Sequence, residues 1–273
     1  MIPLLVLVLC ALPATAADDW TLVWADEFTD EGLPDSSRWR YDVGGHGWGN
    51  RELQYYTARR LANARVEDGL LVIDARREAF NDRDYTSARL LSRADWTYGR
   101  FEVRARLPSG TGTWPAIWML ASRDTYGDHY WPDNGEIDIM EYVGYEPNVV
   151  HSSVHTRAYH HSIGTHKTNS RRVADAEKAF HVYAVDWTAA EIRFFVDGQR
   201  YFTFVKEEGA DYRQWPFDQP FHMLLNIAVG GTWGGQQGIA DDIWPQRMEI
   251  DYVRVYQPST AIDGKTWGEV KDR

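Results

Sequence analysis

Short segments in which apolar and polar residues alternate run along most of the chain. In segments 101–107 (FEVRARL) and 248–256 (MEIDYVRVY), apolar residues recur at every second position, which is the period of a strand with one buried face. Segment 191–198 alternates in the same way and ends in Asp-Gly, a pair that favours a tight hairpin turn into 199–205. Segment 70–75 follows a second Asp-Gly pair. The pattern therefore predicts many short antiparallel strands.

The 3.6-residue period of an amphipathic helix is weak throughout the sequence. Only segment 173–180 is predicted to hold a short turn of helix. Closely spaced strands separated by turns predict an all-β fold, a sandwich or jelly roll of antiparallel sheets. Because binding proteins and enzymes share that architecture, function must be argued from particular residues.

One segment, GEIDIME, carries three acidic residues within a predicted strand. Strict alternation places Glu136 and Asp138 on one face but turns Glu141 into the core. A lone buried carboxylate is costly, so we expect a β-bulge at Ile139–Met140 that returns Glu141 to the face of the other two acids.

The spacing of these three acids leaves three interpretations open. Hydrolysis of a glycosidic bond uses two carboxyl groups, which a retaining enzyme holds about 5–5.5 Å apart. Crowding would raise the pKa of at least one acid and so keep a proton available for catalysis. A calcium site also favours several carboxylates, and a solvated acidic strand face needs no function at all.

Composition narrows the class of partner. The formal net charge of −11 argues against nucleic acid and anionic membranes as partners and is compatible with a neutral polymer. The 13 Trp and 15 Tyr residues fit either a large core or a cleft lined with flat apolar faces that suit sugar rings. No Pro/Gly/Ser linker, charge block or internal repeat marks a domain boundary.

The first 16 residues have the features of a secretory signal peptide. An apolar run is followed by Ala-Thr-Ala at 14–16, and the run is too short to span a bilayer. We therefore expect a signal peptide at 1–16 and a single catalytic domain at 17–273, secreted or periplasmic. Removal of the signal would remove the single cysteine, so the mature protein would have no disulfides. We expect a monomer without membrane contacts.

The segment at 135–141 resembles the active-site signature of glycoside hydrolase family 16, in the laminarinase-like variant with one extra residue before the last Glu. Further segments resemble the laminarinase pattern in the same order: 47–57, 85–90, 98–102, 110–120, 225–235 and 245–256. The resemblance implies a jelly-roll β-sandwich of two curved antiparallel sheets, concanavalin-like, with a substrate cleft on the concave face. It implies a retaining endo-β-1,3-glucanase that acts on laminarin-like β-glucan, with mixed-linkage β-1,3-1,4-glucan as a side substrate.

The resemblance also implies roles for individual residues. Glu136 would be the nucleophile, Glu141 the acid/base and Asp138 the residue that assists the nucleophile, with no cofactor for catalysis. Substrate would be bound by Asn50, Arg89, Trp114, Trp118, Trp131, His155 and Trp233. Each Trp could instead belong to the core, Arg89 could serve an ion pair, and the histidine could be structural.

Two metal sites are weaker hypotheses. The resemblance implies a structural calcium ion at Glu27 and Asp251, although the latter could simply be an outward-facing strand residue. The histidine-rich segment 159–166 raises the question of zinc, but we favour general loop polarity. This segment also departs from the laminarinase patterns, which affects the expected details of substrate binding.

Two other functions remain as alternatives. The same family includes agarase-like and carrageenase-like galactan hydrolases, for which basic residues in the cleft would be expected when the galactan is sulfated. A non-catalytic β-glucan recognition protein would share the fold, but such relatives typically lose the catalytic glutamates, and both are present here.

Overall fold

The structure, a computed structural model, describes residues 20–259, and nearly all its regular elements are strands. The expected signal peptide lies outside the described part, as do the first three and the last 14 residues of the expected catalytic domain. The strands are β1 (Trp20–Asp26), β2 (Trp39–Asp42), β3 (Gln54–Tyr56), β4 (Ala64–Glu67), β5 (Leu70–Phe80), β6 (Arg83–Ser87), β7 (Arg89–Ser92), β8 (Gly99–Arg106), β9 (Thr113–Ala121), β10 (Glu136–Tyr142), β11 (Val149–His155), β12 (Lys167–Arg172), β13 (His181–Trp187), β14 (Glu191–Val196), β15 (Gln199–Val205), β16 (Phe221–Val229) and β17 (Gln246–Pro258). A helical turn, α1, spans Tyr130–Asp133, and a 3₁₀ turn spans His161–Ile163.

The strands form two sheets. The larger has ten strands with the order β15-β14-β13-β8-β17-β5-β6-β3, to which β1 and β4 add by pairing with β17 and β5. The smaller, which we call the cleft sheet, has seven strands in the order β12-β11-β10-β9-β16-β7-β2. Pairing is antiparallel except between β3 and β6. The predicted all-β jelly-roll sandwich is confirmed.

The strands predicted from alternation are present. Strand β8 alternates between buried and partly exposed residues along its whole length. The β14–β15 hairpin closes through Asp197 and Gly198, whose φ angles of 50° and 72° belong to the left-handed region that Asp-Gly turns adopt. The strand expected at 248–256 extends further at both ends.

Segment 173–180, expected to hold a short turn of helix, forms hydrogen-bonded turns but no regular helix. The segment forms consecutive turns in which the N–H groups of Lys178 and Ala179 both bond to the carbonyl of Asp175. The carbonyl of Ala176 instead accepts the N–H of Leu107 from the chain after β8. Because this carbonyl serves a tertiary contact and β13 begins at His181, no helical ladder develops.

The core lies between the two sheets, as strand β16 illustrates. Its residues Phe221, Met223, Leu225, Ile227 and Val229 all belong to the buried hydrophobic cluster. The intervening residues face the opposite side, so every second residue of the cleft sheet is available to line a cleft. Within the described residues, no helix is long and apolar enough to cross a membrane.

We expect Leu225→Ala to lower the free energy of unfolding by about 2–5 kcal/mol, because the side chain is fully buried and its removal leaves a cavity. The same substitution at Leu61, which is 52% exposed, is the matched control and should change it by less than about 0.5 kcal/mol. Urea unfolding followed by tryptophan fluorescence measures both. Equal losses in the two variants would contradict the assigned position of the core.

Candidate active site

A β-bulge interrupts the pairing of β10 with β9. Asp138 lies opposite Trp118, and Met140 lies opposite the next residue, Ile117, which leaves Ile139 as the extra residue. Pairing with β11 shifts over the same stretch. The bulge predicted from the acidic segment is therefore present where it was expected.

The bulge determines which way Glu141 faces. Ile139 and Met140 are consecutive, yet both are buried in the hydrophobic core. Glu141 consequently lies opposite Ala116. Without the extra residue it would lie opposite Pro115, in a row that faces the core. The three carboxyl groups thus share one face of the cleft sheet.

The strand register brings further side chains into line with Glu141. His151 lies opposite it on β11, and Ala116 lies opposite it on β9. Ala116 pairs in turn with Asn226 on β16, which pairs with Arg89 on β7. This row crosses most of the sheet and gives the cleft a continuous floor.

Two adjoining hollows lie over this floor, and the larger has a volume of about 470 Å³. They share Asn50, Trp114, Glu136 and Glu141. The larger hollow is otherwise lined by His151, Ser153, His155, His161, His166, Thr168, Thr232, Trp233 and Gln236. The smaller is otherwise lined by Trp48, Glu52, Tyr56, Arg89, Ala116, Trp118, Asp138, Asn226 and Ala228.

Each glutamate accepts a hydrogen bond from an indole. Trp131 Nε1 donates to Glu136 Oε2 at 2.7 Å, and Trp114 Nε1 donates to Glu141 Oε1 at 3.0 Å. Trp233 packs its edge against Trp114, with 5.5 Å between ring centroids. Three predicted aromatic residues thus surround the acids, and two of them orient carboxylates directly.

Arg89 and Trp118 lie in the smaller hollow. The guanidinium lies 4.7 Å from the ring centroid of Trp118 and 4.8 Å from that of Trp48. Arg89 Nε also lies 3.0 Å from Asp42 Oδ2. Arg89 therefore lines the cleft and also forms the ion pair that was its alternative role. Trp118 Nε1 donates to Asn226 Oδ1 at 2.7 Å.

Glu52 is a site residue that sequence reasoning missed. Its side chain is buried and accepts hydrogen bonds from Asn50 Nδ2 at 3.2 Å, Gln54 Nε2 at 2.6 Å and the hydroxyl of Tyr56 at 3.2 Å. Burial raises the pKa of this carboxyl. The network fixes Asn50, a predicted substrate-binding residue, at the edge of both hollows.

His155 is buried beside the acids, and its Nε2 lies 3.2 Å from Asp138 Oδ2. Its ring stacks on that of His166 at 5.4 Å and meets that of His161 edge-on at 5.2 Å. General loop polarity therefore does not account for these two loop histidines, which line the cleft. His151 was also missed, although strand alternation places it on the same face as His155.

The three acids perturb one another. Burial raises the pKa of Glu136 to about 8, with the carboxyl of Asp138 adding to the effect and His155 and Trp131 opposing it. Burial raises the pKa of Glu141 to about 7, with Glu136 contributing and His155 and Trp114 opposing. The pKa of Asp138 is also raised, by burial and then by Glu141. The cluster therefore retains at least one proton near neutral pH.

The residues of the expected calcium site are engaged elsewhere. Glu27 accepts hydrogen bonds from Nε and Nη2 of Arg254, at 2.7 and 2.9 Å, and this pairing lowers the pKa of its carboxyl. Asp251 pairs with Arg104. Because each carboxylate already has a cationic partner, this arrangement fits a Ca²⁺ site poorly. Calcium binding here stays a prediction.

Comparisons with known proteins agree with the geometry of the site. The profile of the family Glycosyl hydrolases family 16 matches residues 52–254. A beta-glucanase of Rhodothermus marinus is 62% identical over 247 residues, covering 88% of this chain and 86% of that protein. The X-ray structure of the laminarinase from Rhodothermus marinus has a TM-score of 0.86 and covers 87% of this chain and 97% of its own.

A second solved structure, of SCLam, is described as a non-specific endo-beta-1,3(4)-glucanase. It is 46% identical, has a TM-score of 0.84, and covers 90% of this chain and 94% of its own. The family match spans well over half of the sequence and includes all three acids. The chain belongs to family 16 of the glycoside hydrolases.

Proposed function

We propose that this protein is a retaining endo-β-1,3-glucanase that hydrolyses internal linkages of laminarin-like glucans, with mixed-linkage β-1,3-1,4-glucan as a side substrate. The observation that carries the proposal is the bulged strand β10, which presents Glu136, Asp138 and Glu141 together on the floor of an aromatic cleft. The similar proteins described as laminarinase and as endo-beta-1,3(4)-glucanase support the choice of substrate.

In the first step Glu136 attacks the anomeric carbon while Glu141 gives its proton to the glycosidic oxygen. The carbon–oxygen bond to the leaving sugar breaks, and a covalent glycosyl-enzyme ester forms. The indole N–H of Trp131 holds one oxygen of Glu136, which leaves the other free to attack. Burial raises the pKa of both glutamates, so the pair retains a proton near neutral pH, and the mechanism assigns that proton to Glu141 when substrate is bound.

In the second step Glu141, now ionised, removes a proton from water, and the resulting oxygen attacks the same carbon from the face that the leaving group vacated. Glu136 departs as a carboxylate. The two displacements together retain the anomeric configuration. Asp138, whose own pKa is raised, serves as the hydrogen-bonding partner of Glu136 and stabilises the departing carboxylate. The steps require no cofactor.

Sugar rings would pack on the indoles and bond to the polar rim. Trp114 and Trp233 offer adjacent aromatic surfaces beside Glu141, while Asn50 lies where the two hollows join. The lining extends across the cleft sheet from Thr168 on β12 to Arg89 on β7. A cleft that crosses several strands suits an extended chain better than a single terminal sugar.

Charge favours a neutral glucan over a sulfated galactan. Among the described residues that line the two hollows, Arg89 is the sole lysine or arginine, and it already pairs with Asp42. Because a polyanion would need several cationic contacts, a carrageenan-like substrate is the weaker candidate. The presence of both glutamates argues against a purely binding role.

The remaining properties rest on sequence. The apolar run and Ala-Thr-Ala at 14–16 support export of the protein to the periplasm or the medium. We propose that it acts there as a monomer.

The direct experiment is to measure new reducing ends released from laminarin, with agarose and carrageenan as comparison substrates. We expect rapid release of mixed oligosaccharides from laminarin alone. Cleavage of a galactan without cleavage of laminarin would overturn the proposed substrate, and inactivity on all three would favour a binding protein.

We expect Glu141→Gln to lower kcat by about 10²–10⁴-fold, the usual contribution of a general acid/base. Glu136→Gln should lower it at least as far, because an amide is a poor nucleophile. The matched control is Glu208→Gln at an exposed position, which should retain full activity. Initial rates on laminarin measure all three, and circular dichroism checks that each variant is folded. Wild-type activity in either active-site variant would refute the assignment.

The pH profile should report the proton on Glu141. The reaction needs Glu136 ionised and Glu141 protonated, and these neighbouring carboxyls have pKa values raised to about 8 and about 7 and titrate together. We therefore expect kcat/KM on laminarin to follow a bell-shaped profile with its maximum near neutral pH and to fall on the alkaline side as the last proton leaves the pair. Rates measured between pH 4 and 10 test this. A profile that stays flat to pH 9 would show that the assumed acid is not the group that limits activity.

The raised pKa of Glu141 also predicts how the free energy of unfolding depends on pH. A carboxyl whose folded pKa lies above its unfolded value of 4.5 contributes stability below that value and loses it as pH rises to the folded pKa of about 7. Glu141→Gln should therefore stabilise the protein at pH 8, by roughly 1–3 kcal/mol, and much less at pH 4. Urea unfolding at both pH values measures the difference. Equal effects at the two pH values would mean that ionisation of Glu141 costs the fold nothing.

A further inference from the structure

We propose that the base of the cleft binds a divalent transition-metal ion of the Zn²⁺ type through Glu136, Asp138 and His155, and that the bound ion blocks hydrolysis. One ligand atom from each of these side chains lies within 4.8 Å of the other two. Across residues 20–259, this is the one group of three or more such side chains that converges in this way. Binding of the ion does not depend on the proposed reaction, whereas the inhibition rests on it.

An unsatisfied buried oxygen supplies a second observation. The side chain of Asp138 is 2% exposed, and its Oδ2 has no hydrogen-bond partner among the described residues. This oxygen lies 3.2 Å from Nε2 of His155, whose side chain is 7% exposed. Two such atoms facing each other in a buried position can share a proton or can hold a metal ion between them.

The donor set selects the class of ion. One imidazole nitrogen with two carboxylate oxygens suits Zn²⁺ and similar first-row ions, while Ca²⁺ and Mg²⁺ favour oxygen donors alone. Tetrahedral zinc with bonds of about 2.0–2.2 Å places neighbouring ligand atoms roughly 3.3 Å apart. The pair formed by Asp138 and His155 already has this separation, and a ligand oxygen of Glu136 lies within 4.8 Å of both atoms, so it would have to move inward to complete three ligands.

The surroundings hold the ligands in place and leave access from solvent. The ring of His155 stacks on that of His166, and Trp131 fixes one oxygen of Glu136. Glu136 and His155 both line the larger hollow, so an ion can enter from the cleft. Its fourth position would face the cleft and take water, an arrangement common to accessible zinc sites.

Occupancy would prevent catalysis by a simple route. A metal ion bound to Glu136 removes the carboxylate that attacks the anomeric carbon and fills the space the sugar must enter. Zinc should therefore compete with laminarin, raising the apparent KM with little change in kcat.

Another histidine offers a matched control. His181 lies near two carboxylates, but its Nε2 faces Asp175 and its Nδ1 faces Asp197. Because one ring cannot direct both nitrogens to a single ion, His181 should not form a comparable site.

The test is a calorimetric titration of the full protein with ZnCl₂ at pH 7. We expect one site, weakened at least roughly 10- to 100-fold in His155→Ala, because removal of a ligand should cost no less than removal of a group that only orients one. His155→Gln, which keeps a polar side chain of similar reach, serves if the alanine variant does not fold. His181→Ala should bind zinc as the wild type does. Glu136→Gln, which removes a charged ligand, should also bind less tightly.

Three results would overturn the proposal: no zinc binding by the wild type, unchanged binding in both His155 variants, or loss of binding in His166→Ala with full binding in the His155 variants. The last result would place the ion on the loop. The outcomes distinguish the two proposals. An active enzyme that binds no zinc would refute only the metal site. A protein that binds zinc but does not hydrolyse laminarin would refute only the proposed glucanase activity.

Discussion

Strand β10 must satisfy two opposed demands, and the bulge at Ile139 reconciles them. One face of the strand has to fill the core with apolar side chains, and the other has to present three carboxyl groups to a cleft. Seven residues in strict alternation would bury Glu141. The extra residue buries two consecutive apolar side chains and restores the register, so the core remains packed and the carboxylate faces the cleft. The row of cleft residues on β11, β9, β16 and β7 depends on that register.

The crowding of the acids has an energetic consequence for the whole protein. Burial and mutual repulsion raise the pKa values of Glu136 and Glu141 to about 8 and 7, so ionising the site opposes folding. The same perturbation keeps a proton where the proposed mechanism needs one. The free-energy cost of ionising the site is reduced because Trp131 donates a hydrogen bond to Glu136 and Trp114 donates one to Glu141. Stability is thus lower at the pH where Glu141 loses its catalytic proton.

Much of the fold and the centre of the site could be predicted from sequence, because both follow from local patterns. Alternation identified strands such as β8 and the β14–β15 hairpin, and the cost of burying Glu141 was enough to predict the bulge. Glu52 and His151 were missed, and the loop histidines were explained as general loop polarity, because the side chains that reach the cleft are set by tertiary structure. Their contacts with the cleft form only when the strands and the following loop fold together: His151 comes opposite Glu141, and His166 stacks on His155. No period in the sequence encodes these contacts. The turns at 173–180 do not extend into a regular helix for a similar reason, since the N–H of Leu107 takes the carbonyl of Ala176 that a helix would have used.

The central claim is that Glu136 and Glu141 lie together on one strand face as a nucleophile and an acid/base. The stereochemistry of hydrolysis tests it most directly, because closely spaced carboxyl groups give retention and widely spaced ones give inversion. Proton NMR during the first minutes of laminarin hydrolysis distinguishes the anomers of the new reducing ends before they equilibrate. The β-anomer should appear first. Initial release of the α-anomer would mean that water attacks directly and that Glu136 is not the nucleophile.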